Sequence, residues 1–198
     1  MLEYAQRFGF YELPPLETPE DERRASGLYR GGELFLPKDP NDVDPGRLAF
    51  GQERLLATPL QMAMVAAGVA NHGLVMKPYV VDRILKPDGS ILTRTTPDEL
   101  SQAVRPETAA ELTAMMELVV EAGTGTAAQI PGVPVAGKTG TAETGRAGEN
   151  DAWFIAFAPA DAPQVAIAVA LSNQSGTGGQ TAAPIARAIM ETLLGETT

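Results

Sequence analysis

The chain has 198 residues, which suffices for one hydrophobic core and makes a single domain the expectation. Its formal net charge of −10 and isoelectric point near 4.6 argue against binding to nucleic acid or to an anionic membrane surface. The sequence contains no cysteine, which excludes disulfides and thiol chemistry, and no apolar run approaches the roughly 18 residues of a membrane span.

The first ten residues predict the end of a helix, because Leu2, Ala5 and Phe8 recur at a spacing of three on one face. No capping residue precedes this helix, so we expect either a chain cut from something longer or a frayed terminal helix. Residues 11–50 contain six prolines and a cluster of acidic side chains, which together predict an irregular, acidic segment.

Two longer helices are predicted next. Thr58 and Gln61 have the spacing of a capping box, and the alanine-rich apolar run after them predicts a buried central helix. The second helix opens at Pro106 and ends at Gly123. Its apolar face is predicted to consist of Ala109, Leu112, Met115, Met116, Val119 and Val120.

β-Structure is predicted in two places. Residues 77–94 predict a hairpin that turns at residues 87–89, with strand residues 79–81 and 84–85 before the turn and 91–92 after it. Three adjacent strands are predicted at residues 135–143, 152–158 and 165–171, and the short turns between them favour antiparallel pairing.

The last two of these strands have distinct patterns. Residues 152–158 are nearly all apolar, which predicts burial on both faces. In residues 165–171 bulky side chains alternate with alanines, which predicts a central strand with a helix packed on its alanine side. Thr181 is predicted to cap a final helix. The fold class that these elements predict is α+β, with an antiparallel sheet flanked by helices.

The first of the three strands carries the polar sequence Lys138-Thr139-Gly140-Thr141, which suits a carboxylate or a developing oxyanion. Lys138 supplies positive charge, the threonines supply hydroxyls, and Gly140 lets a ligand approach the backbone. K-T-G is a signature of penicillin-binding proteins and class A β-lactamases. Residues 132–139 also match the P-loop pattern, and a polar strand end without chemistry is the third interpretation.

The P-loop interpretation conflicts with its surroundings. A P-loop opens a helix and has flexible residues between its glycines. Residues 133–136 are instead typical of a strand, and the glycine-rich residues 140–148 have no helical period. A nucleotide binder is therefore the least favoured alternative.

Several sequence blocks together resemble the transpeptidase domain of class B penicillin-binding proteins, in the order that the family has them, from about residue 50 to the end. The blocks are residues 51–52, 58–63, 70–73, 123–127, 136–143, 151–159 and 182–187. The resemblance implies a fold of the β-lactamase/transpeptidase type. Residues 1–198 would form the C-terminal part of a single domain, with residues 1–50 irregular and residues 51–198 containing the helices and the K-T-G sheet.

The resemblance also implies an activity. In this family a serine attacks the penultimate D-Ala carbonyl of a stem peptide, D-Ala leaves, and an amine of a second stem peptide takes the acyl group; β-lactams acylate the same serine. By position, Lys138 and the backbone N–H of Thr141, an oxyanion donor, would be catalytic, while Thr139, Gly140 and Thr141 would bind the substrate carboxylate. No metal or cofactor is implied, and the parent protein is expected outside the cytoplasm, anchored to the cell membrane.

Two other motifs of the family are absent from this sequence. None of the four lysines has a serine three residues before it, and none of the five serines has an asparagine two residues after it, so S-x-x-K and S-x-N are both missing. We therefore expect an incomplete transpeptidase domain that needs its missing N-terminal part, is poorly stable alone and is not acylated by penicillin. A non-catalytic module that binds peptidoglycan or a partner protein is the alternative.

Overall fold

A computed structural model describes residues 1–195, so the last residues of the predicted domain, 196–198, lie outside the described residues. The α+β class with antiparallel sheets is confirmed. The α-helices in this range are α1 (Leu2–Arg7), α2 (Pro45–Ala49), α3 (Pro59–Ala70), α4 (Pro106–Glu121) and α5 (Ala183–Gly195). The strands are β1 (Gly27–Arg30), β2 (Glu33–Leu34), β3 (Leu55–Leu56), β4 (Leu74–Met76), β5 (Arg83–Leu85), β6 (Ile91–Arg94), β7 (Glu99–Gln102), β8 (Ala136–Glu143), β9 (Asn150–Ala158) and β10 (Val165–Gln174).

Strands β8, β9 and β10 form the main sheet, with β9 in the middle and antiparallel pairing throughout. Phe154 and Phe157 of β9 are both fully buried. Because they are three residues apart, they lie on opposite faces of the sheet. Helix α5 packs on the face of Phe154 and α3 packs on the face of Phe157. Helix α4 contributes to both clusters, with Met116 beside Phe157 and Val120 beside Phe154. The prediction that residues 152–158 are buried on both faces is confirmed.

The position predicted for β10 is wrong, although the helix on its alanine side is confirmed. β10 lies at the edge of the sheet that the described residues form, and its residues 165–171 are half-buried. Ala166 packs with Val69 and Ala70 of α3, while Ile167 and Val169 pack in the cluster that contains α5. An alternation of bulky and small residues predicts which face is covered, but not the order of strands in a sheet.

Helix α3 is capped as predicted, because Thr58 Oγ1 accepts a hydrogen bond from the Gln61 backbone N–H at 3.1 Å. The Gln61 side chain does not complete a capping box: it donates to the Phe8 carbonyl at 2.7 Å and so ties α3 to α1. The helix is buried on one side only. Its residues Leu60, Ala63 and Ala67 line an open cavity of 620 Å³ that extends to β10.

Helix α4 and the hairpins differ in detail from the predictions. Met116 is buried, but Met115, which the predicted apolar face included, is 54% exposed. The hairpin of β5 and β6 is confirmed, whereas residues 79–81 form no strand. Strand β4 also pairs with β7, a pairing between segments too short for their pattern to predict it.

The prediction that residues 11–50 are irregular is wrong in part. Strand β1 pairs with β2 and also with β3, which lies beyond residue 50. Helix α2 lies between β2 and β3 in the chain, and Leu28 of β1 is fully buried. Strands of two to four residues are too short to display an alternating pattern in the sequence. The six prolines were therefore the stronger signal, and they led to the prediction of an irregular segment.

The molecule exposes more surface than a compact protein of its mass. Its accessible area is 11534 Å², whereas a folded monomer of 20.8 kDa is expected to expose about 8,900 Å². The open cavity beside α3 and the unpaired edge of β10 contribute to this excess. Between residues 1 and 195 no helix combines the length and the hydropathy needed to span a bilayer.

Candidate active site

The K-T-G residues lie in β8, which is the other edge of the main sheet. The strand begins with buried Ala136 and Gly137, and a Cβ at Gly137 would lie 2.5 Å from the ring of Phe154, so a larger residue there would displace this buried ring. Pairing with β9 continues without interruption from Ala136 to Glu143. This pairing holds the predicted site residues, Lys138 to Thr141, in consecutive positions along one edge of the sheet.

Lys138 places an exposed positive charge on this edge, in a chain with a formal net charge of −10. Its Nζ donates a hydrogen bond to the carbonyl of Thr139 at 2.7 Å, so the side chain folds back onto its own strand. An ammonium held in this way attracts an anion that approaches β8.

The structure contradicts the P-loop alternative. Residues 138–143 continue as a strand paired with β9, so no helix N-terminus follows Lys138 and Thr139. A P-loop binds phosphate with the backbone N–H groups of a loop that opens a helix, and this geometry is absent at residues 132–143.

Thr124, which follows the C-terminus of α4, contacts the K-T-G strand directly. Its Oγ1 lies 2.7 Å from Oγ1 of Thr139, within hydrogen-bonding distance. Gly125 is buried and its N–H donates to the carbonyl of Val119 at 2.9 Å, which turns the chain toward β8. Sequence reasoning included Gly-Thr-Gly at residues 123–125 in the family resemblance but did not assign Thr124 to the site.

The segment between β10 and α5 also meets β8. The Gly178 N–H donates to Oγ1 of Thr141 at 3.3 Å. A Cβ on Gly178 would lie 2.1 Å from the carbonyl oxygen of Trp153 and 2.5 Å from that of Gly140, so the backbones touch here. This contact was missed by the sequence analysis, although two adjacent glycines are a signal of close backbone approach.

The prediction that Thr181 caps the final helix is wrong. A π-helical turn, Gly178–Ala182, precedes α5, and its N-cap is Thr177. Gln180 Oε1 accepts the Thr177 N–H at 3.0 Å, and the Thr177 carbonyl accepts the N–H groups of Gln180 and Thr181. Thr177 and Gln180 have the spacing of a capping box, but two glycines between them obscured the start of the helix. Single π-helical turns are frequent at functional sites.

The three segments together arrange hydroxyl groups and a positive charge that suit a carboxylate. Since Thr141 Oγ1 accepts from Gly178, its own proton can be donated to a ligand. Thr139 and Thr124 share one proton between their oxygens, and the remaining hydroxyl proton is available to the same ligand. With Lys138 beside them, these groups can neutralise one anion at the edge of β8. Across residues 1–195, His, Asp and Glu side chains form no cluster suited to a metal ion.

Comparisons with known proteins identify the family to which the chain is similar. The sequence profile of the penicillin binding protein transpeptidase domain matches residues 1–191. The peptidoglycan D,D-transpeptidase PbpA of Mycobacterium tuberculosis is 43% identical over 197 residues, covering 96% of this chain and 38% of the relative. Stage V sporulation protein D of Bacillus subtilis is 35% identical over 205 residues, covering 99% of this chain and 30% of the relative.

Solved structures of penicillin-binding proteins are also similar to this chain. Penicillin-binding protein A from M. tuberculosis, in its imipenem acyl-enzyme complex, superposes with a TM-score of 0.79 at 36% identity and covers 97% of this chain and 41% of the solved chain. The penicillin G acyl-enzyme complex of the same protein gives a TM-score of 0.77, also at 36% identity, and covers 97% of this chain and 42% of the solved chain. The present chain therefore spans between 30% and 42% of the length of these relatives.

Proposed function

Since the chain belongs to the family of penicillin-binding protein transpeptidase domains, we propose that it supplies the K-T-G side of a peptidoglycan D,D-transpeptidase site. The observation that carries this proposal is the convergence of Lys138, Thr139 and Thr141 with Thr124 and Gly178 at one open sheet edge. Those groups suit the terminal carboxylate of a D-Ala-D-Ala stem peptide, and the equivalent carboxylate of a β-lactam.

Each residue has a distinct proposed role. Thr139 and Thr141 donate their hydroxyl protons to the carboxylate, and Gly140 lets the peptide approach the backbone of β8. Lys138 supplies the positive field, and the Thr141 N–H stabilises the oxyanion that forms when the scissile carbonyl is attacked. The loss of one oxyanion donor typically slows such a reaction by about 10²–10³-fold.

The nucleophile comes from outside these residues. A serine attacks the penultimate D-Ala carbonyl, its proton passes to a neighbouring base, and D-Ala leaves as the amine. The amine of a second stem peptide then attacks the carbonyl of the acyl-enzyme. This step releases the serine and forms the amide bond that cross-links the two peptides. No serine in this chain has the S-x-x-K spacing that would activate it. A segment beyond the 198 residues, in a protein anchored at the outer face of the cell membrane, would supply serine and base.

The experiment uses a chimera in which this chain replaces the segment it matches in M. tuberculosis penicillin-binding protein A, whose penicillin G acyl-enzyme has been solved. We expect penicillin G to add its mass to the chimera and not to the isolated chain, as measured by intact mass spectrometry. Lys138→Ala in the chimera should slow acylation at least about 10²-fold. An adduct on the isolated chain, or a folded chimera that penicillin does not acylate, would contradict the proposal.

A second function follows from the absence of both serine motifs. According to this second proposal, the chain is a non-catalytic module that binds peptidoglycan or a partner protein through the same β8 edge. An inert but folded chimera, together with binding of D-Ala-D-Ala peptide to the isolated chain, would favour this second function over the first.

A further inference from the structure

The pairing of β9 with β10 is interrupted by a bulge close to the K-T-G strand. Leu171 pairs with Ala152 and Gln174 pairs with Asn150, so Ser172 and Asn173 together oppose Asp151 alone. Asn173 adopts a left-handed conformation, with φ of 57°. An extra residue in one strand bends that strand and leaves an N–H that the ladder does not pair.

The side chain of Asp151 pairs this N–H. Oδ1 of Asp151 accepts a hydrogen bond from the Asn173 N–H at 3.2 Å. Asp151 is half-buried, and its backbone is paired with Ala142 at the end of β8. The carboxylate therefore connects the K-T-G strand, through β9, to the bulge of β10.

The bulge determines the path of the chain that follows it. Gly178 comes five residues after Asn173, and its N–H donates to Thr141 Oγ1 at 3.3 Å. The fit is tight, since a Cβ on Gly178 would lie 2.1 Å from the Trp153 carbonyl oxygen. A small change in the direction in which β10 ends would move the Gly178 N–H away from Thr141.

We propose that Asp151 is a positioning residue for the carboxylate site: by holding the β10 bulge, it places the Gly178 N–H on the hydroxyl of Thr141. This inference rests on the function proposed above for β8. It assigns to Asp151 a role that no K-T-G residue has, because Asp151 acts through the bulge and the π-helical turn and does not touch the substrate.

The test compares Asp151→Ala with Asp151→Asn in the chain of 198 residues. Asparagine keeps an oxygen that can accept the Asn173 N–H, whereas alanine has none. Asp88→Ala is the matched control, because Asp88 also accepts a backbone N–H, that of Ser90 at 2.9 Å, but in the β5–β6 turn. The measurement is hydrogen exchange of the Asn173 and Gly178 amides by NMR.

We expect Asp151→Ala to accelerate exchange at both amides by about tenfold, Asp151→Asn to leave exchange near the wild-type rate, and Asp88→Ala to change neither amide. Unchanged exchange at Gly178 in Asp151→Ala would overturn the proposal, and so would equal acceleration by Asp88→Ala, which would indicate general loosening.

The chimera provides a second measurement. There Asp151→Ala should slow acylation by penicillin G about five- to tenfold, and Asp151→Asn should restore most of the rate. Equal rates in the wild type and Asp151→Ala would contradict a role in positioning the site. If the unmodified chimera is not acylated, the proposed function fails, while exchange at Gly178 still decides whether Asp151 positions Thr141.

Discussion

Thr139 and Thr141 each share a hydrogen bond with a residue outside β8, Thr139 with Thr124 and Thr141 with Gly178. A hydroxyl oriented by such a neighbour loses less rotational freedom when it binds a ligand than one that turns freely. The two neighbours come from different elements, the turn after α4 and the turn before α5. At the residue scale, the proposed carboxylate site is thus preorganised by a side chain and an amide that the K-T-G sequence does not contain.

Thr124→Val in the chimera tests this preorganisation. Valine keeps the shape of threonine but removes the hydroxyl, so we expect acylation by penicillin G to slow by about tenfold. Thr124→Ser should restore the rate. Thr192→Val is the matched control, since in the described part of the chain the Thr192 hydroxyl donates to the Ala188 carbonyl within α5, at 2.9 Å. An equal effect of Thr124→Val and Thr192→Val would refute a specific role for Thr124.

Gly178→Ala tests the close contact between the turn and β8. The added Cβ would lie 2.1 Å from one backbone oxygen and 2.5 Å from another, so the turn must move away from Thr141. We expect the free energy of unfolding to fall by about 2 kcal/mol or more, as measured by urea denaturation. Gly195→Ala adds a Cβ that meets no atom of the described residues within 4 Å, and it should leave stability nearly unchanged. Equal unfolding midpoints for the two variants would show that the turn is not tightly packed.

At the scale of elements, the orientation of α3 depends on a polar anchor within a largely apolar helix. Gln61 is 2% exposed and its Nε2 donates to the Phe8 carbonyl at 2.7 Å. Phe8 itself packs beside Met64 and Val75. The hydrogen bond therefore fixes α1 against the first turn of α3, and through α3 against β9 and β10 of the main sheet.

Gln61→Met removes this anchor with little change in side-chain length. We expect a loss of about 1–3 kcal/mol in the free energy of unfolding, because the Phe8 carbonyl is left without its donor. Gln6→Met, at an exposed position in α1, is the matched control and should change stability by less than about 0.5 kcal/mol. The measurement is the denaturant midpoint of each variant. Equal midpoints would show that the hydrogen bond from Gln61 to Phe8 does not stabilise the fold.

At the scale of the whole molecule, the accessible area of 11534 Å² exceeds the expectation for its mass, about 8,900 Å², by more than a quarter. Part of the excess lies on the face of α3 that borders the 620 Å³ cavity. The described chain also leaves Ile185 and Ile189 of α5 about two-fifths exposed, at 40% and 42%. Such surfaces weaken folding, because apolar area that stays in water contributes nothing to stability.

The isolated chain should accordingly melt at a lower temperature than the chimera, in which the rest of a transpeptidase domain is present. Differential scanning calorimetry at equal concentration measures the difference, which we expect to be at least about 10 °C. The unmodified M. tuberculosis protein serves as the reference for the chimera. An isolated chain that melts as high as the chimera would contradict the view that its open surfaces are covered in a complete domain.

Local sequence was sufficient for much of the fold and for the K-T-G residues. The spacing in α3 and α4, the three strands and the capping residue Thr58 follow from periodicity and hydrogen-bonding preferences that act over a few residues. For the same reason Lys138, Thr139, Gly140 and Thr141 could be identified together, since they are adjacent in one strand. The absence of S-x-x-K and S-x-N was also evident without coordinates.

The tertiary structure alone decided how distant segments meet. It placed β10 at an edge of the sheet that the described residues form and made Met115 exposed. It also brought Thr124 and Gly178 to β8 and joined Asp151, which pairs with β8, to the bulge of β10. These outcomes depend on strand order, on a bulge and on a π-helical turn, each fixed by contacts between residues far apart in the chain. A local pattern records which face of an element is apolar, but not which other element will cover it.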